Sequence, residues 1–156
     1  MVDVMTLTEK RADFTEMLLH LLNFAVKRAK DYGVLLYVKE VERHKCAQAL
    51  VVNEGTSWTY NSMHLTGLAV DIIINSADSK KTLWDHRLYD EMAVVWVGMG
   101  GEWGGEPQWE KDGHRDRDHY QYNLRRRLKY LGGNKYDTTT EYRKVTIPAQ
   151  EAETSN

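Results

Sequence analysis

One carboxylate inside an apolar run constrains this chain more than any other feature. Leu68-Ala69-Val70-Asp71-Ile72-Ile73-Ile74 reads as a buried strand with an aspartate in its middle. A carboxylate buried without partners costs several kcal/mol, so Asp71 demands a cation or strong donors. His64 stands seven residues earlier, after Ser62 and ahead of Gly67, which can make a turn. The spacing alone leaves two readings open. His64 and Asp71 hold a metal ion, or Asp71 pairs with an arginine or caps a neighbouring loop.

A second cluster bears on the choice. His114-Arg115-Asp116-Arg117-Asp118-His119-Tyr120 offers a further ligand and a general base together. A hydrolytic metal site keeps one coordination position for water and needs a base to take its proton and pass it to the leaving amine. An aspartate three residues before a ligand histidine can do this if a bend brings both to the metal. His119 leads the strand-like Tyr120-Gln121-Tyr122; His114 is the rival ligand and Asp118 the rival base. A charged surface hairpin is the other reading of this cluster.

Composition narrows the chemistry. The chain has 156 residues, enough for one domain with a core. The single cysteine, Cys46, excludes an intrachain disulfide and a cysteine-rich metal site, so a metal must be held by His, Asp and Glu. A formal net charge of -2 is not that of a nucleic-acid polyelectrolyte, and the basic run Asn123–Tyr130 has no interleaved aromatics. That run reads as a solvated helix face, with contact to an anionic wall polymer as the functional alternative. Neither a signal peptide nor a membrane span is expected.

The apolar pattern predicts a first helix over about Leu7–Asp31. Thr6 and Glu9 form a capping box, and Gly33 is its stop. His20, among leucines there, is expected to be a partly buried structural residue. A strand is expected from Val34 to Glu40, a short helix from His44 to Leu50, and the buried strand over 68–74. A second long helix, carrying His86, would run from about Leu83 to Gly98. Five of the eleven glycines fall within 98–105, marking a flexible or tightly turning loop. Residues 1–133 form the expected catalytic domain. The segment 134–156 is a polar extension, partly disordered, with Val145 and Ile147 as its anchors.

At these residues the chain resembles a known family. Ser62-Met63-His64-Leu65-Thr66-Gly67-Leu68-Ala69-Val70-Asp71 matches the S-x-H-x-x-G-x-A-x-D signature of the LAS-type zinc peptidases. This is the branch of phage L-alanyl-D-glutamate endopeptidases and D-alanyl-D-alanine carboxypeptidases. Arg43 and Gln48 resemble its R-x4-Q element, Trp103-Gly104-Gly105 its W-G-G loop, and Asp116-x-x-His119 its closing D/E-x-x-H element. The resemblance covers roughly residues 7–123. It differs where the family often has proline and phenylalanine around the last histidine; here Asp118 and Tyr120 stand there, and His44 replaces a common Thr or Ser after the arginine. Asp118 adds a charge able to compete with Asp116 or raise its pKa.

The resemblance implies an α+β fold, hedgehog/DD-peptidase-like, with helices on a small, mainly antiparallel sheet that carries the metal. It implies Zn2+ held by His64, Asp71 and His119, Asp116 as general base and acid, and Arg43 on the oxyanion. Ser62, Gln48 and Trp103 would contact substrate. The implied activity is cleavage of the L-Ala–D-Glu bond in the peptidoglycan stem peptide. Its rivals are D-alanyl-D-alanine carboxypeptidase and a catalytically silent wall-binding module. A monomeric phage lysis enzyme is expected, made in the host cytoplasm and released to the wall by a holin-type pore.

Overall fold

The computed structural model describes residues 5–132 apart from 56, 58, 60, 61 and 112. The extension expected over 134–156, with Val145 and Ile147, lies outside the described residues. The first helix, α1 (Leu7–Tyr32), carries both hydrogen bonds of the Thr6/Glu9 capping box, and ends at Gly33 in the left-handed region (φ 63°). Its inward stripe is Phe14, Met17, Leu21, Ala25 and Ala29. His20 falls off that stripe and is exposed, contrary to expectation, because it sits about 100° around the helix from Leu21.

Strand β1 (Leu35–Glu40) leads to helix α2 (Lys45–Asn53), whose N-cap is His44, and then to a 3-10 turn, Met63–Thr66. Strand β2 (Ala69–Asn75) follows, then helix α3 (Leu88–Gly98) and the two-residue strand β3 (Glu102–Trp103). A short helix, α4 (Pro107–Lys111), strand β4 (His119–Gln121) and helix α5 (Leu124–Leu131) complete the order. The second helix is shorter than its apolar pattern suggests. Thr82 bridges Asn75, and Leu83 N–H bonds the Ile74 carbonyl, so this segment extends the sheet instead of starting α3. His86 consequently precedes the helix and accepts a bond from Leu88 N–H.

The sheet has four strands in the order β1-β2-β4-β3, each pair antiparallel. This is the expected α+β architecture, and its central strand is the apolar run with the aspartate in it. Alternation sorts the residues between faces. Val70, Ile72, Ile74, Trp103 and Tyr120 join the core with α1 and α3. Asp71, His119, Gln121 and Glu102 have the opposite parity and line a cleft on the other face.

The glycine-rich loop is tightly packed, so its glycines serve close approach. A Cβ on Gly101 would lie 2.2 Å from the Trp96 indole nitrogen, and one on Gly105 would lie 2.4 Å from the Trp103 ring. The basic run is not a uniformly solvated face. Arg126 bonds both Glu106 oxygens, at 2.6 and 2.8 Å. Arg127 is buried and clamps Asp13 on α1 through Nε and Nη2, at 2.8 and 2.9 Å. Two arginines of the run therefore hold α5 to the fold through internal carboxylates, leaving little of it for an anionic polymer.

Burial would raise the Asp13 carboxyl, but Arg127 and the Tyr122 hydroxyl outweigh it and hold Asp13 below its usual range. We expect Arg127→Leu to cost about 3 kcal/mol at neutral pH, read from the urea midpoint. A depressed carboxylate contributes stability above its unfolded pKa and loses it as pH falls through the folded value. The gap between wild type and variant should thus narrow below about pH 4. A gap that stays constant on further acidification contradicts the role given to this pair.

Candidate metal centre

Three elements of different kinds position the ligands. Asp71 lies within β2, and His119 is its direct partner across the β2–β4 ladder. His64 comes from the 3-10 turn. Ser62 caps that turn by accepting from His64 N–H at 3.3 Å, and Gly67 closes it at φ 68°. The His64 carbonyl accepts from Arg43 N–H at 2.9 Å, so one turn sets both the first histidine and the arginine.

All three side chains are buried, and a ligand atom from each lies within 4.8 Å of the others. Asp71 Oδ1 is 3.1 Å from His64 Nε2 and 3.1 Å from His119 Nδ1. The far nitrogens decide what those contacts are. His64 Nδ1 faces the Val41 carbonyl at 2.8 Å, and His119 Nε2 faces Gln121 Oε1 at 2.9 Å. The Val41 carbonyl accepts only and the Gln121 amide presents its oxygen, so with these nitrogens protonated each neutral ring turns a lone pair toward Asp71. Two nitrogen lone pairs and a carboxylate oxygen then converge on one position. That is the coordination set of a cation, and two imidazoles with one carboxylate suit zinc.

Without a cation the imidazoles act on Asp71 as proton donors instead. Burial pushes Asp71 up, yet hydrogen bonding and charge from His119 and His64 outweigh it and hold the carboxyl far below its usual range. Burial lowers His119, but Asp71 outweighs that and its pKa is raised. Desolvation, with Asp116 beside it, pushes Asp118 up to about 8. Of this pair, the residue departing from the family pattern is itself the one held protonated near neutrality.

The site opens into a cleft of about 1200 Å³ whose lining includes Arg43, Ser62, Trp109, Asp116 and Asp118. Arg43 donates through Nε to Glu40 at 2.8 Å and through Nη1 to Gln48 at 2.7 Å, with Nη2 also on Glu40 and 3.8 Å from Asp71. Gln48 is buried and donates to Ser57 Oγ at 3.0 Å, so it braces Arg43 from behind. Trp103 is also turned away from the cleft. It is 2% exposed, stacks on Tyr120 and donates from Nε1 to the Arg117 carbonyl at 2.7 Å. Strand parity puts Trp103 on the core face, and the tryptophans lining the cleft are Trp84 and Trp109, the latter 5.4 Å from the His119 ring. His114 lines the cleft without joining the three ligands. Sequence reasoning missed Trp109, Glu40, Glu102 and Gln121. Only Gln121 had a signal, its place two residues beyond a ligand on a strand.

Gly104 fixes the turn that carries Asp116. Its N–H bonds the His119 carbonyl and its carbonyl accepts from Asp116 N–H, both at 2.8 Å; an added Cβ would lie 2.1 Å from the Asp116 carbonyl oxygen. We expect Gly104→Ala to weaken zinc binding about tenfold by displacing His119, with secondary structure retained. Chelator competition and circular dichroism check this; unchanged affinity would mean the loop yields without moving the ligand.

No family model matches the chain. It is 33% identical over 100 residues to the L-alanyl-D-glutamate peptidase of Listeria phage A118, a match covering 62% of this chain and 34% of that protein. Among solved structures it resembles the L-Ala D-Glu endopeptidase ChiX of Serratia marcescens, with a TM-score of 0.54 and 28% identity. That likeness covers 73% of this chain and 80% of ChiX. The chain spans about a third of the phage relative and most of the bacterial one. The LAS-type resemblance is therefore supported in sequence, fold and ligand geometry: the chain is similar to a phage L-alanyl-D-glutamate peptidase and to a bacterial L-Ala D-Glu endopeptidase, and brings the three expected ligands together.

Proposed function

We propose that this chain is a zinc peptidase of bacterial peptidoglycan that cleaves the stem peptide between L-alanine and D-glutamate. The observation that carries the reading is the convergence of two imidazole lone pairs and the Asp71 carboxylate at the floor of an open cleft. The activities of both relatives support this bond over the terminal D-alanine. The phage origin of one relative supports a lysis enzyme, and we take it to be monomeric, made in the host cytoplasm and passed to the wall through a holin-type pore. Among the described residues no helix is long and apolar enough to cross a membrane.

His64, Asp71 and His119 would hold zinc, which supplies Lewis acidity to the scissile carbonyl and to water. Asp116 takes the proton of the attacking water and delivers it to the leaving amine. It suits this role better than Asp118, whose raised pKa leaves it a poor acceptor at neutral pH. Arg43, held on two sides by Glu40 and Gln48, aims a fixed positive charge at the developing oxyanion. Ser62, at the cleft wall, remains a candidate contact for the peptide.

Digestion of purified peptidoglycan with and without chelator, followed by mass spectrometry of new termini, tests the reading. Chelator-sensitive N-terminal D-glutamate is expected. Free D-alanine would instead identify a carboxypeptidase, and zinc binding without cleavage a silent wall-binding module. Asp116→Ala should lower turnover about a hundredfold to ten-thousandfold with zinc retained. If Asp118→Ala alone abolishes turnover, the assigned base is wrong.

A further inference from the structure

The zinc position needs His119 to present Nδ1 as a lone pair, and imidazole offers either nitrogen. His119 Nε2 lies 2.9 Å from Gln121 Oε1. An amide alone settles nothing, because a flip of its end groups would present NH2 there and reverse the tautomer. Something must hold the amide.

Glu102 is placed to do so. It is the direct cross-strand partner of Gln121 in the β3–β4 ladder, so the two side chains share the cleft face. Its carboxylate accepts from Trp109 Nε1 at 3.0 Å and from Asn123 Nδ2 at 3.0 Å. Burial pushes the Glu102 carboxyl up, but Asn123, Trp109, the nearby Arg126 charge and the Gln121 amide together hold it below its usual range. Glu102 therefore stays an acceptor at neutral pH. With Oε1 on His119 and Glu102 as its cross-strand neighbour, Gln121 has its NH2 to offer the carboxylate, and that pairing keeps Oε1 on His119. That oxygen accepts only, so the proton sits on Nε2 and Nδ1 is free for the metal.

We propose that Glu102 and Gln121 are positioning residues that select the metal-binding tautomer of His119. The same carboxylate holds Trp109, whose ring lies tilted against His119, so one acid fixes both the proton on the imidazole and the wall over it.

This inference rests on the zinc reading, and the test separates the two. Zinc affinity is measured by chelator competition on wild type, Glu102→Gln, Gln121→Met and the exchange variant E102Q/Q121E. The first two should bind about tenfold more weakly, with the metal-free unfolding temperature near that of wild type. The exchange variant moves the acceptor-only group beside His119 and the amide to position 102. It should recover wild-type affinity within about threefold, a coupling that a merely structural role would not produce. Nitrogen-15 NMR of zinc-loaded wild type should show His119 bound through Nδ1 with its proton on Nε2, and Glu102→Gln should show a second bound form. If wild type binds zinc and Glu102→Gln binds equally well, or if the exchange variant is no better than Glu102→Gln, the tautomer proposal is overturned. If wild type binds no zinc, the zinc reading falls as well.

Discussion

The placement of Asp71 on the cleft face of the central strand is the constraint on which the rest of the structure depends. Its neighbours Val70 and Ile72 are fully buried in the core against the helices, so its own direction is fixed by the pleat. A one-residue slip in β2 would put Asp71 in the apolar core and Val70 or Ile72 at the metal position. Register is therefore enforced twice, by apolar burial on one face and by ligand geometry on the other. The same ladder sets His119 opposite Asp71, and no flexible segment has to find it.

The turn that carries Asp116 into β4 is firm because it is closely packed. Gly104 lets the chain approach the Asp116 carbonyl, while Arg117, the residue after it, is pinned outward. Arg117 bonds Asp90 on α3 at 2.6 Å, reaches Asp85 and the Trp84 carbonyl, and lies over the Tyr89 and Trp103 rings. The Asp116–His119 turn is thus clamped between the glycine-rich loop and α3. Asp116 can be held within reach of the metal position without a helix or strand of its own, and misplacement of a reacting group by about 1 Å is costly.

Much of this was legible because the strongest signals were chemical conflicts. An aspartate in an apolar strand needs a cation or strong donors, and the signature around it names the partners that the geometry brings together. The Thr6/Glu9 box and the stripe of α1 were equally plain. What stayed hidden has short range or strand parity behind it. β3 is two residues long, too short for alternation to show, so Trp103 was read as a cleft residue and Glu102 was not read at all. Leu83 continues the apolar pattern of α3, but the sheet edge captures its backbone first. The Arg126 and Arg127 charges looked solvated because their carboxylate partners, Glu106 and Asp13, are distant in sequence.

The converging ligands also link metal binding to protons. Without a cation, lone pairs facing a carboxylate are relieved by protonating a ring, and the raised pKa of His119 reflects that substitution. Zinc must displace this proton, so affinity falls as pH falls through the raised histidine value. Asp118 acts in the same sense, since a proton held there up to about pH 8 spares the site one negative charge. Arg43 sets the balance from the other side. Glu40 takes up much of its charge, which keeps the guanidinium from repelling the metal while leaving it near Asp71. A free arginine at this distance would oppose a cation bound there; in the proposed reaction a paired one would keep its place and enough field for the oxyanion. On that proposal the Glu40–Arg43 pair would bear on the metal chemistry together with the ligands.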